Sequence, residues 1–318
     1  MNLPHLYLPS ATIDVLKARS ALIQQARHFF LDRGFWEVDT PLLSAETVVD
    51  AHIHPVSLTI DGDHRFLQTS PELAMKRLLV AGSGSIFQFA HAVRAGEAGP
   101  LHNREFLLLE WYRVGASLWE LMDDVGKLVT SLMQLPHVGS ASYRQAFLQS
   151  TGIDPLKATN EELADRCQSA GLSFVAKDRD DLLNFLWADQ VEPTLPKEGL
   201  YFIYHYPASQ AALADVIQDE DGNECAERFE LYARGIELAN GYHECRDPRQ
   251  LREWFIRQND RRVQQNATTL PLPDYLLSAL EQGLPDCSGV AVGFDRLVMI
   301  SLEQQRLSDV IPFPDDRC

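Results

Sequence analysis

Basic residues are scarce in this chain of 318 residues. Its 28 lysine and arginine side chains face 45 aspartates and glutamates, so the formal net charge is −17. Sequence-independent binding to nucleic acid depends on basic side chains that neutralise phosphates. The charge therefore argues against that class of protein, although it leaves a local basic patch open.

Cysteine and long apolar runs are also scarce. The five cysteines form no CxxC pair and lack the spacing of zinc ligands, which is typical of reduced thiols in the cytosol. The N-terminal MNLPHLYLPS lacks the basic and apolar regions of a signal peptide, and no run approaches membrane-spanning length. The sequence therefore predicts a cytoplasmic protein that does not associate with a membrane.

The stretch RAGEAGPLHNREFLLLEWYR, residues 94–113, has an alternating second half, which predicts a strand with two distinct faces. The face with Leu107, Leu109 and Trp111 suits a core. The other face carries rings and a carboxylate, and it suits the floor of a pocket: Phe106, Leu108, Glu110 and Tyr112. Arg94 and the loop before His102 add a cation and a turn suited to a nucleoside triphosphate. An edge hairpin with one wet face is the alternative interpretation.

Two helices have clear ends near the N-terminus. Residues 13–33 carry an apolar stripe and are followed by Gly34, a typical C-terminal cap, and a short strand is predicted at 37–40. Ser70 as N-cap and Pro71 as first helical residue predict the second helix.

Residues 142–199 are interpreted as a helical insertion. The capping-box sequence Thr159–Glu162 predicts the start of one short helix, and residues 180–190 predict another. Further along, residues 249–265 predict a helix that is rich in arginine for so acidic a chain. That helix is interpreted either as a solvated face or as a docking surface for an acidic partner.

Residues 228–240 predict a hairpin around Arg234 and Gly235. If the register allows it, the two strands bring Glu230 and Glu237 close together. Like charges opposite one another destabilise a sheet unless a cation lies between them, and hard oxygen ligands suit Mg²⁺. The pair is interpreted as a magnesium site or, alternatively, as ordinary surface carboxylates.

Three segments together resemble the motifs of the class II aminoacyl-tRNA synthetases, in particular those of the lysyl type. GFWEVDTP (34–41) resembles motif 1, the 94–113 stretch resembles motif 2, and GVAVGFDR (289–296) resembles motif 3. The resemblance covers nearly the whole chain. It implies an α+β fold, with an antiparallel sheet flanked by helices in one catalytic domain over residues 1–318. It also implies a homodimer through the motif 1 helix, for which a helix hairpin in a monomer is the alternative.

The resemblance implies that ATP and Mg²⁺ are cofactors. In this family Arg94 would hold the α-phosphate and Arg296 the γ-phosphate, and both are the expected catalytic residues. Phe106 would stack on adenine, and Gly293 would allow the backbone to approach the nucleotide closely. The alternative for Gly293 is that chain geometry alone requires a glycine there. The other expected ATP and metal contacts are His102, Asn103, Glu230, Glu237 and Leu238.

The amino acid substrate is expected to be a lysine-like cation, because the matching substrate residues include several carboxylates: Ser70, Pro71, Glu72, Glu110, Tyr112, Asn240, Glu244 and Ala291. A neutral side chain would leave the carboxylates buried and unpaired, at a cost of a few kcal/mol, roughly. Ser70 and Ala291 stand where the tRNA enzymes generally have alanine and glycine. In this family that difference accompanies acceptance of a β-amino acid.

Motif 2 departs from the family pattern at one position. The usual Arg-x-Glu is Arg94-Ala95-Gly96 here, and Glu97 follows. Backbone contacts to the adenine end, a shift of Glu97 into this place or a lower ATP affinity are the possible consequences.

The chain begins directly at the motif 1 helix, so an N-terminal OB-fold anticodon-binding domain is not expected. It resembles the short lysyl-type paralogues that ligate (R)-β-lysine to elongation factor P, through TSPELAMKRLLVAG, PASQAALA and ELANGYHE. Elongation factor P is therefore the expected acceptor, and tRNA is not. A truncated enzyme that acts on tRNA and a non-catalytic paralogue are the alternatives.

Overall fold

The fold begins with a long helix that follows the sequence prediction closely. The computed structural model describes residues 7–171, 176 and 178–318. Helix α1 spans Ile13–Leu31, and the Thr12 hydroxyl accepts a hydrogen bond from the Val15 amide at 3.3 Å. Gly34 follows the helix with φ 79°, as expected for a capping glycine. The strand predicted at 37–40 is shorter and lies earlier, at Trp36–Glu37.

A large sheet forms the centre of the described part of the chain. In chain order the strands are β1 (Trp36–Glu37), β2 (Leu43–Ser44), β3 (Ser57–Ile60), β4 (Asp63–Leu67), β5 (Ile86–Val93), β6 (Glu105–Val114), β7 (His137–Ser142), β8 (Leu200–Pro207), β9 (Val216–Gln218), β10 (Glu224–Ala233), β11 (Ile236–His243) and β12 (Cys287–Gly293). The large sheet has the order β1-β5-β6-β12-β11-β10-β8-β7, with β9 beside β10, and its central strands pair antiparallel. The pairs β1/β5 and β7/β8 are parallel, and β2, β4 and β3 form a small separate sheet.

Helices cover both faces of this sheet, which confirms the predicted α+β class. They are α1, α2 (Glu72–Val80), α3 (Leu118–Met133), α4 (Tyr143–Thr151), α5 (Asn160–Ser169), α6 (Arg179–Leu186), α7 (Pro248–Gln264), α8 (Asp274–Leu280) and α9 (Phe294–Ser301). Helix α2 starts later than predicted, because Pro71 rather than Ser70 holds the N-cap position. Within the described ranges, no helix is both long and apolar enough to cross a membrane.

The two faces of strand β6 differ, as its alternation predicts, although the face predicted as a pocket floor also contributes Tyr112 to a second hydrophobic core. Trp111 is fully buried with Phe30 and Phe87 in the core beneath α1, α3 and α9. The neighbouring Tyr112 belongs to the core beneath α2, α7 and α8, together with Phe255. The strand therefore places Glu110, on the Tyr112 side, deep within the protein.

The segment predicted as a helical insertion packs directly on the large sheet. The Thr159 capping box is present at the start of α5, as predicted, and α6 continues into a π-helical turn over Trp187–Val191. The ring of Tyr143 stacks on Trp187 at 4.4 Å, and both share a core with Tyr206 of β8 and Tyr232 of β10. Residues 172–175 and 177 of the predicted insertion lie outside the described residues.

The arginine-rich helix α7 uses two of its arginines internally. Arg261 pairs with Asp180 at 2.6 Å and Asp178 at 3.1 Å, and buried Arg262 donates to backbone carbonyls, including that of Thr268. Arg261 and Arg262 are therefore not available to a partner, so the predicted solvated or docking face does not include every arginine of the helix. The exposed remainder, called here the α7 arginine face, consists of Arg249, Arg252 and Arg257.

Candidate active site

A cleft of about 1100 Å³, measured with its open mouth, lies over β6, β11 and β12. It brings together most of the site residues predicted from the sequence: Ser70, Glu72, Arg94, His102, Asn103, Phe106, Glu110, Tyr112, Glu237, Leu238, Asn240, Glu244, Ala291, Gly293 and Arg296. Pro71 and Glu230 are not part of its lining. The cleft has an arginine-bearing end and a carboxylate-bearing end, so it can take a molecule or a pair of molecules with opposite charges at the two ends.

Arg94, directly after β5, forms one side of the arginine end. Its Nε donates to the Thr69 carbonyl at 3.2 Å, and its guanidinium lies 5.1 Å from the centre of the Phe106 ring. Glu97 lies 3.5 Å from Arg94 and also lines the cleft. Gly96 has φ 85°, in the left-handed region that favours glycine, so the turn brings Glu97 beside the arginine.

Arg296 forms the opposite side of this end. Its guanidinium donates to the carbonyls of Glu237 (2.9 Å) and Leu101 (3.2 Å), which fixes its direction. The third contact is with His102 Nε2 at 2.6 Å. Burial and the Arg296 charge lower the pKa of His102, so the ring is neutral at pH 7 and accepts this hydrogen bond. Asn103 is anchored as well, since its Nδ2 donates to the Glu105 carbonyl at 2.7 Å.

Glu230 and Glu237 are close enough to interact, but they have different surroundings. Burial first, and then the Glu230 charge, raise the pKa of Glu237 to about 7. Glu237 lines the cleft, whereas the Glu230 oxygens accept hydrogen bonds from Arg228 (2.5 Å) and Tyr232 (2.7 Å). A bulge between Leu231 and Tyr232 places Glu237 opposite Tyr232, on the same face of the hairpin as Glu230. A cation at Glu237 would relieve the repulsion, so the residues present fit a divalent metal on the cleft side.

The carboxylate end is buried and contains acceptors without partners. The Tyr112 hydroxyl donates to Glu110 Oε1 at 2.8 Å, while Glu110 Oε2 has no hydrogen-bond partner among the described residues. Glu244 Oε1 is buried and unpartnered in the same way. Burial, followed by the charge of Glu72, raises the pKa of Glu110 to about 8. A cationic donor would satisfy these oxygens in their ionised form.

The sequence prediction missed Lys76, a charged residue at this end. Lys76 is fully buried in α2, and its Nζ lies 2.6 Å from Glu72 Oε1 and 2.6 Å from Glu244 Oε2. The Glu72–Lys76 spacing was visible in the sequence, but such pairs are usual on exposed helix faces. Only the packing of α2 against the end of β11 distinguishes this lysine.

The two motif 3 glycines Gly289 and Gly293 differ in how much space a side chain would have. A Cβ at Gly289 would lie 2.3 Å from the Tyr112 ring and 2.6 Å from Glu244 Oε1, so the close approach of these side chains requires glycine. At Gly293 the nearest atom to a Cβ would be 3.7 Å away, an ordinary contact, and φ is −67°. The contacts within the protein therefore do not demand a glycine there.

Asn240 and Ala291, two of the predicted substrate positions, are neighbours across β11 and β12, and Ala291 also pairs with Glu110 of β6. Asn240 Nδ2 donates to the Tyr242 hydroxyl at 2.8 Å, and its Oδ1 accepts from Arg228 at 3.1 Å. The amide is thus held in one orientation at the junction between the two ends of the cleft.

Over residues 6–317 the chain matches the family described as tRNA synthetases class II (D, K and N). The chain belongs to this family, which confirms both the family resemblance and the fold class predicted from the sequence. It is similar to the curated protein named elongation factor P–(R)-beta-lysine ligase from Edwardsiella ictaluri, with 43% identity over 318 residues and 97% of each chain covered. The protein of the same name from Salmonella arizonae is also 43% identical, with the same coverage.

Proposed function

We propose that this chain is an ATP-dependent ligase that activates (R)-β-lysine, or lysine, and transfers it to a lysine ε-amine of elongation factor P. The names of the two relatives describe a ligase of elongation factor P and (R)-β-lysine. The observation that carries the proposal is the charge arrangement of the cleft. Unpartnered carboxylate oxygens of Glu110 and Glu244 lie at one end, and Arg94 and Arg296 lie at the other.

The reaction has two steps. First, a carboxylate oxygen of the amino acid attacks the α-phosphorus of ATP, and pyrophosphate leaves as the P–O bond to the β-phosphate breaks. Second, the acceptor amine attacks the acyl carbon, an amide forms, and AMP leaves while the amine loses a proton. The first step brings two anions together, so fixed cations near the phosphates lower its barrier through positioning and electrostatics.

Arg94 and Arg296 are the residues proposed to hold the α- and γ-phosphates. Their guanidinium groups are fixed by backbone carbonyls, so little reorganisation is needed when the nucleotide binds. The exposed part of the Phe106 ring would stack on adenine, with His102 and Asn103 at the border of the nucleotide. Glu97 takes the place of the carboxylate missing at Gly96, and it is the proposed contact to the adenine end. Leu238 and Gly293 complete the nucleotide side.

A magnesium ion would be held mainly by Glu237, with Glu230 supplying negative charge behind it. The Arg228 guanidinium already pairs with one Glu230 oxygen and offsets part of its charge, which makes Glu237 the better ligand. When bound, the ion would neutralise charge on the ATP phosphates. The raised pKa of Glu237 supports this assignment, because a nearby cation favours the ionised carboxylate.

The lysine side chain is proposed to place its ammonium between Glu110, Tyr112 and Glu244. Glu72 would bind the other amino group, nearer the reacting carboxylate. Ala291 and Ser70 lie around that end of the cleft and are the proposed determinants of the β-isomer. Pro71 would act only through the start of α2.

We also propose a homodimer in the cytoplasm, with one catalytic domain that includes the helical insertion. The support for a dimer is an exposed group of large apolar residues around α1 and β1: Ile13, Leu31, Trp36, Leu42 and Leu43. A dimer would bury them at the motif 1 surface. Light scattering after gel filtration tests this, and a strictly monomeric protein at micromolar concentration would contradict it.

Pyrophosphate exchange with each lysine isomer tests the first step. We expect exchange that depends on a lysine isomer and Mg²⁺ and needs no acceptor. Absence of exchange with both isomers would favour the alternative of a non-catalytic paralogue. Incubation with elongation factor P or tRNA(Lys), followed by intact-mass analysis, then tests the acceptor. We expect one lysyl group on elongation factor P that survives mild base, whereas efficient charging of tRNA(Lys) alone would favour a tRNA enzyme.

A further inference from the structure

Lys76 is a buried charge that the proposed reaction leaves without a role. Its side chain is 0% exposed, and moving an ammonium group from water into a protein interior is costly unless it is paired. Two carboxylates pair with it from different elements, Glu72 from α2 and Glu244 from the end of β11. The arrangement joins two parts of the substrate pocket that are distant in the chain.

We propose that Lys76 is a positioning residue that determines specificity for a diamino substrate. It clamps one oxygen of Glu72 and one of Glu244, and so fixes the distance between the two ammonium subsites. Glu244 Oε1 remains without a partner in the described structure and lines the space that the substrate enters. The inference rests on the proposed function, because it assigns the two amino groups of lysine to these carboxylates.

The electrostatics of the pocket require such a cation. Glu72, Glu110 and Glu244 repel one another in a buried space, and burial favours their protonated forms. Lys76 opposes this effect, since its charge lowers the pKa of Glu110 and Glu244 relative to burial alone. The buried thiols of Cys245 and Cys287 also respond to its charge. His243 is a second cation near Glu244, because hydrogen bonds to Glu227 and Asp286 raise its pKa to about 9, but it lowers the pKa of Glu244 less than Lys76 does.

Removal of the Lys76 charge should therefore change how the pocket binds lysine at each pH. In Lys76→Met the side chain keeps a similar length but loses its ammonium, so Glu244 stays protonated at pH 7. We expect the KM for lysine in pyrophosphate exchange to rise about tenfold or more, the equivalent of at least one pKa unit. The KM for ATP should not change. The rise in the KM for lysine should diminish as the pH increases toward 9, because Glu244 then ionises.

Two further variants separate this role from a merely structural one. Lys76→Arg keeps the charge and should keep the wild-type pH profile, even if its KM differs. In Lys76→Ala, added ethylammonium should restore part of the lysine affinity, which simple packing damage would not allow. Lys127→Met is the matched control, because Lys127 is an exposed lysine paired with Asp123.

The outcomes distinguish the inference from the function on which it depends. No lysine-dependent exchange in the wild-type enzyme would contradict the proposed function itself. Normal exchange by the wild type, with an unchanged KM and pH profile in Lys76→Met, would overturn the role of Lys76 alone. If Lys76→Met does not fold, Lys76→Gln takes its place. Its KM for lysine must then be raised at pH 7 and fall as the pH rises toward 9. The role of Lys76 would equally be overturned if the lysine KM of Lys76→Gln did not depend on pH, or if ethylammonium did not rescue a folded Lys76→Ala.

Discussion

Substitution of Glu110 by glutamine should stabilise the empty protein and damage substrate binding at the same time. Burial, with the charge of Glu72, raises the pKa of Glu110 from 4.5 to about 8. The unfolded chain therefore ionises this group at a lower pH than the folded protein does. Folding stability must fall as the pH rises from about 4.5 to 8, and it stays lower above that range.

The size of the effect follows from the shift. One pKa unit corresponds to about 1.4 kcal/mol, so the cost of Glu110 at pH 8.5 approaches about 5 kcal/mol as an upper limit. In Glu110→Gln the amide oxygen still accepts from the Tyr112 hydroxyl, whereas the amide nitrogen occupies the place of the unpartnered Oε2. An orphaned donor costs about 1–3 kcal/mol. The variant should therefore be more stable than the wild type at pH 8.5 by about 2–4 kcal/mol and slightly less stable at pH 5.

Guanidinium unfolding of both proteins at pH 5, 7 and 8.5 measures the difference, with exposed Glu198→Gln as the control. In pyrophosphate exchange the same variant should raise the KM for lysine about 10- to 100-fold, since a hydrogen bond to a charged group contributes about 1.5–3 kcal/mol. The reasoning is refuted if the stability difference between wild type and Glu110→Gln is the same at pH 5 and at pH 8.5.

Three further predictions concern the metal, the isomer and the acceptor. Glu237→Gln should raise the Mg²⁺ concentration for half-maximal exchange about tenfold or more, with a smaller effect in Glu230→Gln; normal Mg²⁺ dependence in both would make the pair ordinary carboxylates. Ala291→Gly should improve use of α-lysine relative to β-lysine by opening space at the reacting end, and an unchanged ratio of kcat/KM values would place selectivity elsewhere. Reversal of charge on the α7 arginine face should slow modification of the acceptor severalfold and leave exchange intact, as followed by intact mass; no change would exclude this face from docking.

Short-range features of the fold followed directly from the amino-acid sequence. The alternation over residues 106–112 predicted the strand and its two faces, because side chains in a strand point alternately to opposite sides. The cap at Thr159 predicted the start of α5, since the signal and the structure it stabilises lie within one turn. Most of the site residues predicted from the motifs also lie in one cleft. These patterns are local, or are carried by motifs that follow one another in a fixed order along the chain.

The long-range partners of several charges were decided only by the tertiary structure. Lys76 pairs with Glu244 because α2 packs against the end of β11, and Arg261 is internal because α6 lies beside α7. Glu237 lies on the same face of the hairpin as Glu230 because a bulge in β10 places it opposite Tyr232. A sequence specifies which residues are charged, but Coulombic energy depends on distance and on burial. Both quantities are fixed only when elements that are remote in the chain come together.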